Sequence, residues 1–213
     1  MRALMQHIVL VGDSIFDNGP YVETGESVSE ILSKMLKESA TVTLLAVDGD
    51  ITTDVPLQLE SLPGDVTHAF VSCGGNDALR TVGILNQSVS SVGDALELLV
   101  EVRDIFRINY KNMLKAISEK IENVTVCTIY SSVPGVSDRE LAALALFNEV
   151  ILKEASALRL PIIDLRCICV EVGDYSVISP IEPSAQGAKK ISKVIADVLS
   201  NHNYESKFSV VYI

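Results

Sequence analysis

Short runs rich in β-branched residues alternate with longer segments whose apolar residues recur every three or four positions. This alternation restricts the fold more than any single residue does. Residues 7–11, 41–47, 67–72, 124–130 and 160–165 read as strands. Helix-period segments fill 26–38, 53–62, about 89–122, 138–158 and 184–199. In 26–38, Val28, Ile31, Leu32 and Met35 form one stripe. In the long central segment, Ala95, Leu98, Leu99, Val102, Ile105 and Phe106 do the same. Ser137 or Asp138 can cap the helix that follows. Strands separated by helices pair in parallel through right-handed crossovers. The pattern therefore predicts an α/β fold in which a five-stranded parallel sheet carries helices on both faces. A length of 213 residues without linker or repeat suits a single domain over 1–213. The tail from about 201 to 213 ends in a strand-like run, 208–213, which either adds an edge strand or packs against a partner.

Charge and histidine content narrow the function. Seventeen Lys and Arg against 28 Asp and Glu leave a net charge of −11, which disfavours nucleic acid as a partner. No stretch approaches the ~20 apolar residues of a membrane span. The apolar run 8–11 is too short for a secretory signal, so a cytoplasmic protein is expected. Cys73, Cys127, Cys167 and Cys169 lie in or beside apolar runs and read as buried, reduced thiols. No metal or organic cofactor is expected. Any catalytic imidazole must come from His7, His68 or His202.

In an open parallel sheet, ligands bind beyond the carboxyl ends of the strands. The first three strands each end in a polar, glycine-marked turn: Gly12-Asp13-Ser14 with Asp17-Asn18, then Asp48-Gly49-Asp50, then Gly74-Gly75-Asn76-Asp77. A serine at such a turn can present its hydroxyl to a bound carbonyl. Donors must then meet the oxyanion that forms. The Ser14 N–H, the Gly49 N–H and the Asn76 side-chain amide supply three, one from each strand end. Of the neighbouring acids, Asp13 is expected to shape its turn and Asp77 to orient Asn76 or cap a local turn. Asp174 could pair with a neighbour near the site, but a solvated loop acid is the expectation.

Together with Pro183-Ser184 and Gly187, these blocks resemble the SGNH, or GDSL-type, hydrolase family from Ile8 to about Ile195. The resemblance implies a flavodoxin-like three-layer α/β/α sandwich. It also implies an ester substrate, with Ser14 as nucleophile and Ser14, Gly49 and Asn76 as the oxyanion hole. The family's last block is usually Asp-x-x-His, and Ser179 and Glu182 occupy those positions here.

No other histidine can substitute. His7 lies seven residues before Ser14, roughly 20 Å away along a strand at ~3.3 Å per residue. His68 sits at the amino end of its strand. His202 follows a helix of about 24 Å that starts beside the site. Three roles remain for Glu182: general base for Ser14, a remnant in a protein that binds without turnover, or a charge placed at a helix N-terminus. The leading expectation is a serine esterase or acyl hydrolase acting on a small-molecule carboxylic ester. The alternative is an attenuated protein of the same fold that binds an acyl or carbohydrate ligand. A homo-oligomer is compatible with either. A Ser14–Glu182 separation of about 2.6–3.2 Å would suit a general base.

Overall fold

The computed structural model describes residues 5–213. Its sheet contains β1 (Gln6–Gly12), β2 (Ala40–Leu44), β3 (His68–Ser72), β4 (Asn123–Cys127), β5 (Ile162–Ile163) and β6 (Val211–Tyr212). All pairs are parallel, in the order β2-β1-β3-β4-β5-β6. The helices are α1 (Val28–Met35), α2 (Val55–Gln58), α3 (Gly75–Thr81), α4 (Val92–Ser118), α5 (Asp138–Ala157), α6 (Leu165–Ile168) and α7 (Ala185–Asn201). No helix among the described residues is long and apolar enough to cross a membrane.

Alternation along the strands builds the three layers. Side chains on a strand point to opposite faces in turn. Ile8 and Leu10 of β1 enter one core with Phe70, with Val28 and Leu32 of α1, and with Ile191 and Ile195 of α7. Val9 and Val11 enter the other with Val71, with Phe106, Tyr110 and Met113 of α4, and with Val150 and Ile151 of α5. Both faces of the central strands are thus covered, as their continuous apolar runs require. Ser27 and Ser137 open α1 and α5 with capping boxes to Glu30 and Glu140.

The sheet has six strands, not five. The tail returns along β5, where Ile162 N–H donates to the Val210 carbonyl at 2.9 Å and Asp164 N–H to the Tyr212 carbonyl at 2.8 Å. Thr125 and the Tyr204 hydroxyl, 2.7 Å apart, tie the same tail to β4. β5 is shorter than its apolar run suggests, because Asp164 accepts from Arg166 N–H and turns the chain into α6. α3 is absent from the sequence reading, since Gly74-Gly75 is a poor helix start by propensity.

Candidate active site

Strand order reverses direction at β1: the chain moves to β2 on one side, then to β3 on the other. Such a switch point opens a crevice at the carboxyl ends. Ser14 follows β1 there and Asn76 follows β3. Gly12 makes the approach possible. Its φ is +126°, and a Cβ at that position would lie 1.8 Å from the Ser72 carbonyl oxygen. Gln58 clamps the same residue, accepting from Gly12 N–H at 2.9 Å and donating to its carbonyl at 2.7 Å. Asp13 then shapes the turn by accepting from Ile15 N–H at 3.2 Å.

Ser14 is buried, and its hydroxyl donates to Glu182 Oε1 at 3.4 Å. That is slightly longer than the range expected of a general base, and unliganded sites commonly show such lengthening. Glu182 is only 4% exposed, and its Oε2 is buried without a hydrogen-bond partner. Burial pushes its carboxyl above the usual glutamate range and the charge on Asp48 pushes the same way, while the hydroxyls of Ser179 and Ser14 oppose both. The N-terminus of α7 is capped by Ser184, whose Oγ accepts from Gln186 and Gly187 N–H. The hydrogen bond that the structure gives the glutamate side chain is the one from Ser14.

The three donors read from the sequence follow the carboxyl ends of β1, β2 and β3. Neither Ser14 N–H nor Gly49 N–H has a protein acceptor among the described residues. Gly49 adopts φ +84°, and nothing lies within 4 Å of where its Cβ would be. Asn76 is half-buried; one amide N–H donates to the Asp50 carbonyl at 3.0 Å, leaving the other available.

Several supports escaped sequence reading because no spacing announces them. Asp77 does not bind Asn76. It accepts from Thr52 N–H at 3.1 Å and Thr52 Oγ1 at 2.6 Å, fastening the loop after β2 to the start of α3. Asp174 is not solvated but fully buried, 2.8 Å from Lys190 Nζ, with Glu171 N–H and Gln186 Nε2 as further donors. It anchors the loop that carries Glu182. Asn18 bridges this loop to α1, donating to the Pro183 carbonyl and accepting from Val28 N–H.

The histidines are held elsewhere. His7 contacts Asp65 and Thr43 at 2.7 and 2.8 Å, His68 contacts Thr67 at 2.8 Å, and His202 contacts the Tyr212 hydroxyl at 2.9 Å. The four cysteines are free. Cys73, Cys127 and Cys169 are buried, whereas Cys167 is exposed. Burial drives the Cys73 thiol far from its ionised, nucleophilic form.

Beside Ser14 lies a cavity of about 150 Å³. It runs from Asn76 and Glu182 between α3, α4 and α5, past Leu79, Val82, Leu99, Val102, Leu144 and Phe147. Asp13, too, lines it. Burial raises the Asp13 carboxyl to about 7.

The sequence matches the model of the GDSL-like Lipase/Acylhydrolase family over residues 10–190. No curated protein matches it. Solved structures share the fold at low identity. One is a member of the lipolytic G-D-S-L family from Veillonella parvula, at 18% identity and TM-score 0.70, covering 92% of this chain and 100% of that one. Another is the lipase Lip_vut3 from a goat rumen metagenome, at 19% and 0.68, covering 91% and 97%. A third is a psychrotrophic esterase from a Pseudoalteromonas species, at 12% and 0.66, covering 92% and 100%.

Proposed function

Because the chain belongs to the GDSL-like lipase/acylhydrolase family, we propose that it is a serine hydrolase of carboxylic esters, with Glu182 in the place of the usual histidine base. The observation that carries this reading is the Ser14–Glu182 hydrogen bond, with the Ser14 and Gly49 N–H groups without a protein acceptor among the described residues. Glu182 takes the Ser14 proton as Oγ attacks the ester carbonyl carbon. The oxyanion is met by Ser14 N–H, Gly49 N–H and the Asn76 amide, each such donor contributing about 2.7–4 kcal/mol in a comparable site. Collapse breaks the bond to the alcohol oxygen, which receives the proton from Glu182. Glu182 then deprotonates a water that attacks the acyl-serine, releasing the acid and restoring Ser14. Burial suits the carboxyl to this exchange by raising its proton affinity toward working pH. The apolar cavity takes the acyl chain.

The test is hydrolysis of p-nitrophenyl butyrate, with fluorophosphonate labelling of Ser14. Ser14→Ala is expected to abolish both, and Glu182→Gln to slow turnover by about 10²–10⁴-fold. Full turnover in Ser14→Ala sinks the assignment. A folded wild-type protein that neither cleaves the ester nor takes the label favours the binding-protein alternative.

A further inference from the structure

Asp13 stands next to the nucleophile in the chain, and its turn uses only half of its carboxyl. Oδ1 accepts from Ile15 N–H at 3.2 Å. Oδ2 has no hydrogen-bond partner from another described residue, and no Lys, Arg or His pairs with the carboxyl among the described residues. The residue is nevertheless only 3% exposed. Taking a carboxyl out of water costs free energy that its hydrogen bonds must offset, and here one oxygen recovers nothing from a neighbouring residue.

That oxygen borders the cavity. Asp13, Gly75 and Ile129 all line it. Outside its own helix and chain neighbours, a Cβ on Gly75 would have only two atoms within 4 Å, Asp13 Oδ2 at 3.8 Å and Ile129 Cγ2 at 4.0 Å. The glycine thus leaves the wall open next to Oδ2. Nor is Oδ2 sealed into the protein without a partner, as Glu182 Oε2 is. The nearby Thr128 hydroxyl is engaged elsewhere, donating to Asp164 Oδ1 at 2.8 Å. Further along, the walls are the apolar side chains of Leu79, Val82, Leu99, Val102 and Phe147.

Volume sets the scale of the guest. A cavity of about 150 Å³ is the size at which an engineered apolar site takes up benzene, a guest of about six carbons. An acyl group of that size or smaller fills it. Because consecutive Cα atoms lie only ~3.8 Å apart, a substituent close to the carbonyl of an acyl group on Ser14 is within a side chain's length of Asp13. A hydroxyl suits that position, since it donates to a carboxylate and accepts from a carboxylic acid. A plain methylene leaves Oδ2 unpaired, and a site with an unpaired buried polar group discriminates against such a ligand.

We propose that Asp13 is a specificity determinant that selects short acyl groups carrying a hydroxyl close to the carbonyl, with Oδ2 pairing to that hydroxyl inside the cavity. This rests on the hydrolase reading above. The bond from Ile15 N–H to Oδ1 holds the carboxyl in place for it.

The test compares p-nitrophenyl 3-hydroxybutyrate with p-nitrophenyl butyrate, each kcat/KM divided by the rate at which hydroxide cleaves the same ester. The wild type is expected to favour the hydroxy ester by about tenfold. Asp13→Asn is expected to keep most of the preference, because its amide still pairs with a hydroxyl. Asp13→Ala is expected to lower the ratio at least fivefold. Gly75→Ala leaves the Ile15 turn intact and sets a methyl in ordinary contact with Oδ2. It is expected to lower the ratio as well, and it decides the matter if Asp13→Ala does not fold. If p-nitrophenyl butyrate is cleaved but the hydroxy ester is cleaved no faster, or the preference survives in the deciding variant, Oδ2 serves at most a bound water and the inference is overturned. If the folded protein does not cleave p-nitrophenyl butyrate or its hydroxy counterpart, the hydrolase reading has failed and this inference falls with it.

Discussion

At the scale of single residues, the site is a set of acids kept out of water. As the proposed base, Glu182 must be ionised to accept a proton, and burial raises its carboxyl above the ordinary value of 4.5. The acid limb of the kcat/KM profile is therefore expected above pH 4.5, with activity rising as pH rises through it. Asp13 makes a separate prediction about stability. Its carboxyl moves from 3.8 in the open chain to about 7 when folded. Between those values the unfolded chain has lost a proton that the folded chain keeps, so stability falls as pH rises and levels off above about 7. Asp13→Asn removes that penalty while its side-chain oxygen can still accept from Ile15 N–H. At pH 8 the variant is expected to gain up to about 4 kcal/mol, and at pH 3 nothing. Urea unfolding at the two pH values checks this. An equal effect at both would show that Asp13 is not the titrating group.

At the scale of elements, the loop between α6 and α7 is what positions Glu182, and an ion pair between buried Asp174 and half-buried Lys190 fastens it. Replacing Lys190 with Met leaves Asp174 charged and buried without its cation, a change expected to cost about 3 kcal/mol. Turnover should fall as well, because Ser184 N–H donates to the Asp174 carbonyl and the whole segment shifts with it. Parallel unfolding and p-nitrophenyl butyrate assays would show whether the two losses travel together. Elements were legible from sequence where one local rule governs them. β1, β3 and α7 show clean periodicity, and Ser137 reads directly as a cap. The polar turns around Ser14, Gly49 and Asn76 do follow the carboxyl ends of β1, β2 and β3, where the sequence puts them. Asp77 and Asp174 were misread, since their partners Thr52 and Lys190 are fixed only by the folded loops. α3 was hidden by its own two glycines, and the cavity between α3, α4 and α5 left no local signature.

At the scale of the whole molecule, the reactive end and the C-terminal clasp lie at opposite ends of the strands. Tyr204 stacks edge-on against His68 and His202, with centroids 5.1 and 4.8 Å away, and bonds Thr125 at 2.7 Å. It thereby joins β3 and β4 to the tail that supplies β6. Tyr204→Ala is expected to lower stability by about 1–3 kcal/mol and to speed amide exchange at Ile162 and Asp164. The activity of the remaining folded fraction should be untouched. A matching loss of intrinsic turnover would mean that the two ends are coupled through the sheet.

The hollow beside Ser14 has a mechanical consequence as well as a chemical one. The cavity of about 150 Å³ is a gap in the packing, and the volume change by which pressure unfolds a protein grows with such gaps. An apolar hollow of this size keeps water out poorly once the surrounding helices loosen, so hydrostatic pressure favours flooding it. A ligand that filled the hollow would oppose that. The region between α3, α4 and α5 is thus where pressure is expected to act on the fold first.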